Sequence, residues 1–246
     1  MKLERDGVGA WIRWARRERL NAFGPEDLQQ LGDLLAEAAS SEARAIVVFG
    51  EGGAFSSGDD LAATAAMGLA EWRDTLEAFN RLTREVAAAP QPVIAAIDGV
   101  CVGGSFEFAY ACDIRVATPR SRLGCPEVSI GLSISNGFSL LAPRAARRLV
   151  LTGELVDGEE ALRLGLVDAL VEDAEAEARL LVDRIASLAP LAVAGSKRLL
   201  DDGARRALEE ALDRELDLCL SLFETEDARE GLSAFLAKRP PRFEGF

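Results

Sequence analysis

The chain has 246 residues, 49% of them apolar, with 41 acidic against 28 basic side chains and a net charge of −13. An acidic excess of that size argues against nucleic acid as a partner, because phosphate binding draws its affinity from Lys and Arg. Histidine is absent, which removes Ser-His-Asp and Cys-His nucleophiles and histidine-ligated zinc and leaves carboxylates as the acid–base candidates.

The first residues, Met1-Lys2-Leu3-Glu4-Arg5-Asp6, are charged and lack the apolar core of a signal peptide. No run approaches the ~18 apolar residues of a membrane span, so a cytoplasmic protein with no membrane partner is expected. Val8 to Trp14 alternates as a strand. Pro25-Glu26-Asp27-Leu28 then opens a helix, with proline and acids in the first turn where the dipole favours them. Ala45 to Phe49 and Val93 to Ile97 are continuous apolar runs bounded by turn residues, the mark of strands buried on both faces. Between them Trp72, Leu76, Phe79, Leu82 and Val86 recur at helical spacing from Leu69 to Ala88. A strand from Asp113 to Thr118, a short helix from Glu159 to Leu164 and a strand from Leu166 to Val171 continue the alternation. This order predicts an α/β fold with parallel pairing.

After Asp173 the pattern is helical only, at roughly 173–188, 190–201, 204–223 and 225–237, with breaks at Pro190 and Gly203. That tail has no strand of its own to cover, so its apolar stripes are expected to pack on the core or on another subunit. Cys101, Cys112, Cys125 and Cys219 show no CxxC spacing and read as reduced thiols rather than a disulfide or metal set.

Two glycine-rich turns follow the buried strands, Gly50 to Leu61 and Asp98 to Gly104. Glycines there let backbone N–H groups approach a ligand, and the second turn feeds a helix N-terminus, so two such N–H groups suit an oxyanion; a plain tight turn is the ordinary alternative. No Lys-Ser/Thr follows the glycines and GxGxxG is missing, which disfavours nucleotide hydrolysis and nicotinamide binding. Glu107 sits in the apolar stretch Gly103-Gly104-Ser105-Phe106-Glu107-Phe108, where an ionised group loses hydration at a cost of several kcal/mol, on the order of the usual burial penalty. Glu127 follows Pro126 in a later turn. A helix-start acid and a surface-turn acid are the ordinary readings of the two.

The segments AFSSGDDL, PVIAAIDGVCVGGSFEFAYACDIRVAT, LGCPEVSIGL, LTGELVDGEEALRLGLVDALV and FLAKRPPRF resemble, in that order, the crotonase or enoyl-CoA hydratase/isomerase superfamily. The resemblance implies a crotonase-type spiral of ββα turns over residues 1–188 and a C-terminal helical trimerisation region over 189–246. It implies an acyl-CoA partner, a homotrimer or dimer of trimers, and no cofactor beyond the CoA moiety of the substrate. Carried over by position, it implies an oxyanion hole from the backbone N–H groups of Asp59 and Gly104, with Asp59 acting only through its backbone. Glu107 would activate water and Glu127 would supply the C2 proton for reversible hydration of a 2-enoyl-CoA. Arg19, Leu20, Ala22, Ser57, Leu61, Phe235 and Lys238 would meet CoA, with Arg16 and Arg17 nearby. The acyl pocket would draw on Met67, Leu69, Leu132, Ile134 and Phe138. Double-bond isomerisation, another reaction of the superfamily and non-catalytic acyl-CoA binding stand as alternatives. One departure is Ile134-Ser135-Asn136-Gly137-Phe138, where many hydratases carry Pro-Gly-x-Gly-Gly.

Overall fold

A computed structural model describes residues 1–202 and 205–246; the predicted break at Gly203 lies outside the described residues. The chain begins with β1 (Lys2–Asp6), β2 (Gly9–Trp14) and α1 (Pro25–Ala39). Two turns of strand, short strand and helix follow. The first is β3 (Ala45–Gly50), β4 (Ala54–Ser56), the short α2 (Leu61–Thr64) and α3 (Leu69–Ala88). The second is β5 (Val93–Ile97), β6 (Val100–Val102) and α4 (Gly104–Ala111). A third pair, β7 (Ile114–Ala117) and β8 (Arg122–Gly124), leads through a 3-10 turn at Glu127–Ile130 into α5 (Phe138–Leu141) and α6 (Arg147–Thr152). The chain then forms β9 (Val156–Asp157), α7 (Gly158–Arg163) and β10 (Ala169–Leu170). Four helices finish it: α8 (Ala174–Ala186), α9 (Pro190–Asp202), α10 (Arg205–Phe223) and α11 (Glu226–Leu236).

The strands sort into two sheets, β1-β2-β3-β5-β7-β10 and β4-β6-β8-β9. Each turn of the chain adds one strand to the long sheet and the next to the short one, so the chain advances as a spiral of ββα units. All pairings are parallel except β1 with β2 and β8 with β9. The apolar runs are buried on both faces, as continuous hydrophobic strands of parallel sheets are. Ile46, Val48, Val93, Ala95 and Ile97 face a core shared with α1 and α3, including Leu31, Leu35, Phe79 and Leu82. Ala45, Val47, Ile94 and Ala96 face the other way, against Trp11 and Val116.

That second face corrects the expectation that the tail has no strand to cover. Ala174, Ala178, Val182 and Ile185 of α8 pack on it, because a strand apolar on both sides needs cover on both. The next helix is pinned by Lys197, whose ammonium donates to Asp113 at 2.7 Å and to the Val86 and Gln91 carbonyls. Two strand boundaries also differ from the sequence reading. β1 is charged and exposed apart from Leu3, which packs on the core, and it pairs antiparallel with β2, and the run from Leu166 shrinks to the two residues of β10. Among the described residues no helix is long and apolar enough to cross a membrane.

The two glycine turns lean on each other. Gly99 has φ +78°, and a Cβ there would fall 1.9 Å from the Gly53 carbonyl oxygen. Replacing Gly99 by Ala therefore combines left-handed strain with a backbone collision, and should cost ~3 kcal/mol or more. Thermal unfolding of the purified variant, or its loss from the soluble fraction, checks this.

Candidate active site

The two turns bring their chain segments to one small cavity between the sheets and the later loops. Ser105 Oγ donates to the Ser56 carbonyl at 2.8 Å and so ties the start of α4 to the end of β4. Phe23 N–H donates to the Gly58 carbonyl and Asp60 N–H to the Phe23 carbonyl, fixing Asp59 between them. The Asp59 N–H is thereby left out of the backbone pairing and meets only its own carboxyl. Gly104, first residue of α4, has an N–H with no acceptor among the described residues. Orphan N–H groups at a helix start are the usual reserve for an anionic ligand.

Glu107 lies one turn into α4 and is 1% exposed. Three donors converge on its carboxyl: Ser135 N–H at 3.0 Å, Ser135 Oγ at 2.8 Å and Asn136 Nδ2 at 3.0 Å. Burial first, and then the charge of Glu127, push this group well above the ordinary carboxyl range, while the Ser135 donors pull it down. Glu127 opens the 3-10 turn. Its Oε2 is buried without a partner, and burial raises the group to about 8, with Asp59 adding to the rise. Oxygen atoms of Glu107 and Glu127 and the sulfur of Cys125 all lie within 4.8 Å of one another. Two carboxyls so close and so dry cannot both ionise near neutrality, and share a proton. Three donors hold the charge on Glu107, whereas Glu127 has only its own N–H and an Oε2 with no partner among the described residues, which favours the proton on Glu127.

Ser135 and Asn136 thus give the departure from Pro-Gly-x-Gly-Gly a purpose: they supply the donors that a buried carboxylate needs. Their loop is itself held from the tail. Glu215 of α10 accepts Gly137 N–H at 2.6 Å and Ser139 N–H at 2.8 Å. Reasoning from sequence missed Ser135, Asn136 and Glu215. No local signal sets the two polar residues apart in Leu132-Ser133-Ile134-Ser135-Asn136-Gly137, where polar and apolar residues alternate.

The cavity measures about 70 Å³ and is lined by Ser57, Asp59, Leu61, Gly104, Glu107, Glu127 and Leu132, with Trp72, Leu76 and Phe79 of α3 as its apolar wall. Trp72 stacks on Phe223 of α10 with ring centres 5.3 Å apart. Of the expected acyl-pocket residues, Leu132 lines this cavity. Met67 and Leu69 line a neighbouring groove against Phe223, Leu232 and Leu236. Ile134 and Phe138 lie behind the cavity in the core, where Phe138 packs on Phe106 and Tyr110, since the loop turns its polar residues to Glu107 and its apolar ones inward.

The residues expected to meet CoA fall in two places. Ser57 N–H donates to the Leu20 carbonyl, so Arg19, Leu20, buried Ala22, Ser57 and Leu61 sit on adjoining segments. Phe235, 55% exposed, and Lys238, with φ +52°, sit at the end of α11. Arg16 is hydrogen-bonded to Asp27, Arg17 lies 3.8 Å from Glu51, and Arg19 is hydrogen-bonded to Asp60. A phosphate reaching these arginines competes with acids of the same chain.

Residues 5–245 match the family model described as enoyl-CoA hydratase/isomerase. The chain is 34% identical to the short-chain-enoyl-CoA hydratase of Clostridium acetobutylicum, over 99% of this chain and 96% of that protein. It is 31% identical to the crotonyl-CoA hydratase of Syntrophomonas wolfei, over 98% and 96%. The crystal structure of an enoyl-CoA hydratase from Mycobacterium avium subsp. paratuberculosis superposes with a TM-score of 0.88 at 27% identity, covering 99% of this chain and 98% of that one.

A raised carboxyl is a stability liability with a definite sign. Glu127 holds its proton in the folded chain up to about 8 but loses it from about 4.5 when unfolded, so stability is full below the lower value and is lost as pH rises towards the upper. The difference amounts to roughly 4–5 kcal/mol. Glu127→Gln, which cannot ionise, should melt close to the parent at about pH 5 and several degrees above it at about pH 8 by differential scanning calorimetry.

Proposed function

We propose that this chain, which belongs to the enoyl-CoA hydratase/isomerase family, adds water reversibly to a 2-enoyl-CoA and does so with Glu107, Glu127 and two backbone N–H groups. The observation that carries the reading is the pair of buried carboxyls facing one cavity beside the Asp59 and Gly104 N–H groups, which have no backbone acceptor among the described residues. Glu107 takes a proton from a water molecule as its oxygen bonds to C3. The C2–C3 electron pair moves onto the thioester oxygen, which is held by the N–H groups of Asp59 and Gly104. Donors aimed at such a developing charge commonly supply ~3–4 kcal/mol each. The enolate then takes its C2 proton from Glu127, and the proton gained by Glu107 passes back to Glu127 before the next turnover. An ionised base and a protonated acid are both required, and the uneven supply of donors to the two carboxyls favours that division.

CoA is part of the substrate, and no further cofactor is needed for these steps. Exposed Leu191, Leu199 and Leu200 on α9, 88%, 74% and 82% accessible, support burial of this helix against other copies, as a trimer or pair of trimers.

Two measurements test the proposal. Crotonyl-CoA should lose its conjugated thioester absorbance on adding the protein, and Glu107→Gln and Glu127→Gln should each lower kcat/KM by ~10²-fold or more. Persistent absorbance with the parent protein, alongside conversion of a 3-enoyl-CoA, would move the assignment to an isomerase. Light scattering should find three or six copies per particle; a monomer would refute the packing role of α9.

A further inference from the structure

Asp59 enters the reading above only through its N–H, yet its side chain turns into the same cavity. A Cβ at Gly103 would lie 3.2 Å from Glu127 Oε1, and one at Gly104 would lie 3.3 Å from Asp59 Oδ2. The two carboxyls therefore rest on consecutive glycines, the second of which carries one of the proposed oxyanion donors. Asp59 Oδ1 is buried and accepts no hydrogen bond, and the carboxyl takes the Asp59 N–H for itself.

The groups facing Asp59 hold no free cation among the described residues. Glu127 comes from the 3-10 turn and Cys219 from α10, and Glu107 of α4 lines the same cavity. Next along the chain, Asp60 is already bonded to Arg19. The face contributed by α3 is Trp72, Leu76 and Phe79.

Resting on the hydratase reading, we propose that the Asp59 carboxyl is a third working acid of the site, which opens the oxyanion hole when neutral and closes it when ionised. Neutral, it gives up its hold on the Asp59 N–H and can turn its own O–H to the thioester oxygen. Ionised, it keeps that N–H and sets a negative charge beside the forming enolate, where like charges in a dry site repel strongly. Burial raises this carboxyl to about 7, so the open form prevails below that value and is lost above it.

The test compares the parent with Asp59→Asn, of the same shape and unable to ionise, and with Asp59→Ala in case the amide packs badly. The parent's kcat/KM for crotonyl-CoA should fall above about pH 8 with a log slope approaching −2, as Asp59 and Glu127 both lose protons. Either variant should show a slope near −1, and its rate at about pH 8.5 relative to about pH 6 should exceed the parent's ratio by about thirtyfold. Superimposable normalised profiles would overturn the assignment.

Calorimetric binding of butyryl-CoA, which cannot be hydrated, is the second readout. The parent should weaken about thirtyfold relative to the variants over the same pH range, a comparison in which ionisation of the ligand's phosphate cancels. This pH-dependent weakening without any turnover of crotonyl-CoA would sink the hydratase reading and leave the role of Asp59 standing. Parallel binding curves would sink the role of Asp59 whatever the turnover.

Discussion

A carboxyl group sunk one turn into α4, with no cation against it among the described residues, is tolerable only while other groups replace the water it has lost. Ser135 and Asn136 do so for Glu107 with one backbone and two side-chain donors. Much else follows from satisfying that group. The loop after the 3-10 turn must run close along α4, its polar residues must face the cavity, and Ile134 and Phe138 must go to the core. The loop must also be held, which Thr83 does by donating to the Asn136 carbonyl at 3.0 Å and Glu215 by accepting two N–H groups. A charge that costs several kcal/mol to bury, on the order of an ion-pair desolvation penalty, is kept by a network larger than the residue itself.

The glycine turns solve a different problem, that of bringing backbone rather than side chains to the ligand. Each carries the chain from the long sheet to the short one in a few residues. Because Gly99 lies against the Gly53 carbonyl, the two turns cannot move independently. The N–H groups of Asp59 and Gly104, the proposed oxyanion donors, are placed by sheet stacking, whereas the carboxyls are placed by a helix and a loop. Preorganisation of both sets is what makes donors effective towards a charge that exists only during reaction.

The parts of the fold legible from sequence were those with a long periodic signal. The helix from Leu69 to Ala88 and the strand from Val93 to Ile97 have the bounds that periodicity predicts, because an amphipathic stripe of five turns or a bare apolar run leaves little choice. Strands β4, β6, β8 and β9 have two or three residues each, too few for any period, and exist because the spiral lays them side by side. β1 was hidden by its charge, which suits an exposed edge. In the site, Glu107 and Glu127 stood out as acids in unusual settings. Asp59 and Asn136 did not, because nothing local in the sequence separates a side chain facing solvent from one facing a cavity.

The stack of Trp72 on Phe223 and the grip of Glu215 on Gly137 and Ser139 come from opposite sides of one helix's work: α10 supplies both, although it lies far along the chain beyond residue 188. The boundary drawn there separates strands from helices in the order of residues, but it does not separate scaffold from machinery. The backing of Trp72 in the cavity wall and the hold on the loop that donates to Glu107 both come from the C-terminal helical region. One helix thus joins the cavity to the C-terminal region, and under the proposed assembly a change in how copies meet along that region would reach the loop behind Glu107 through α10.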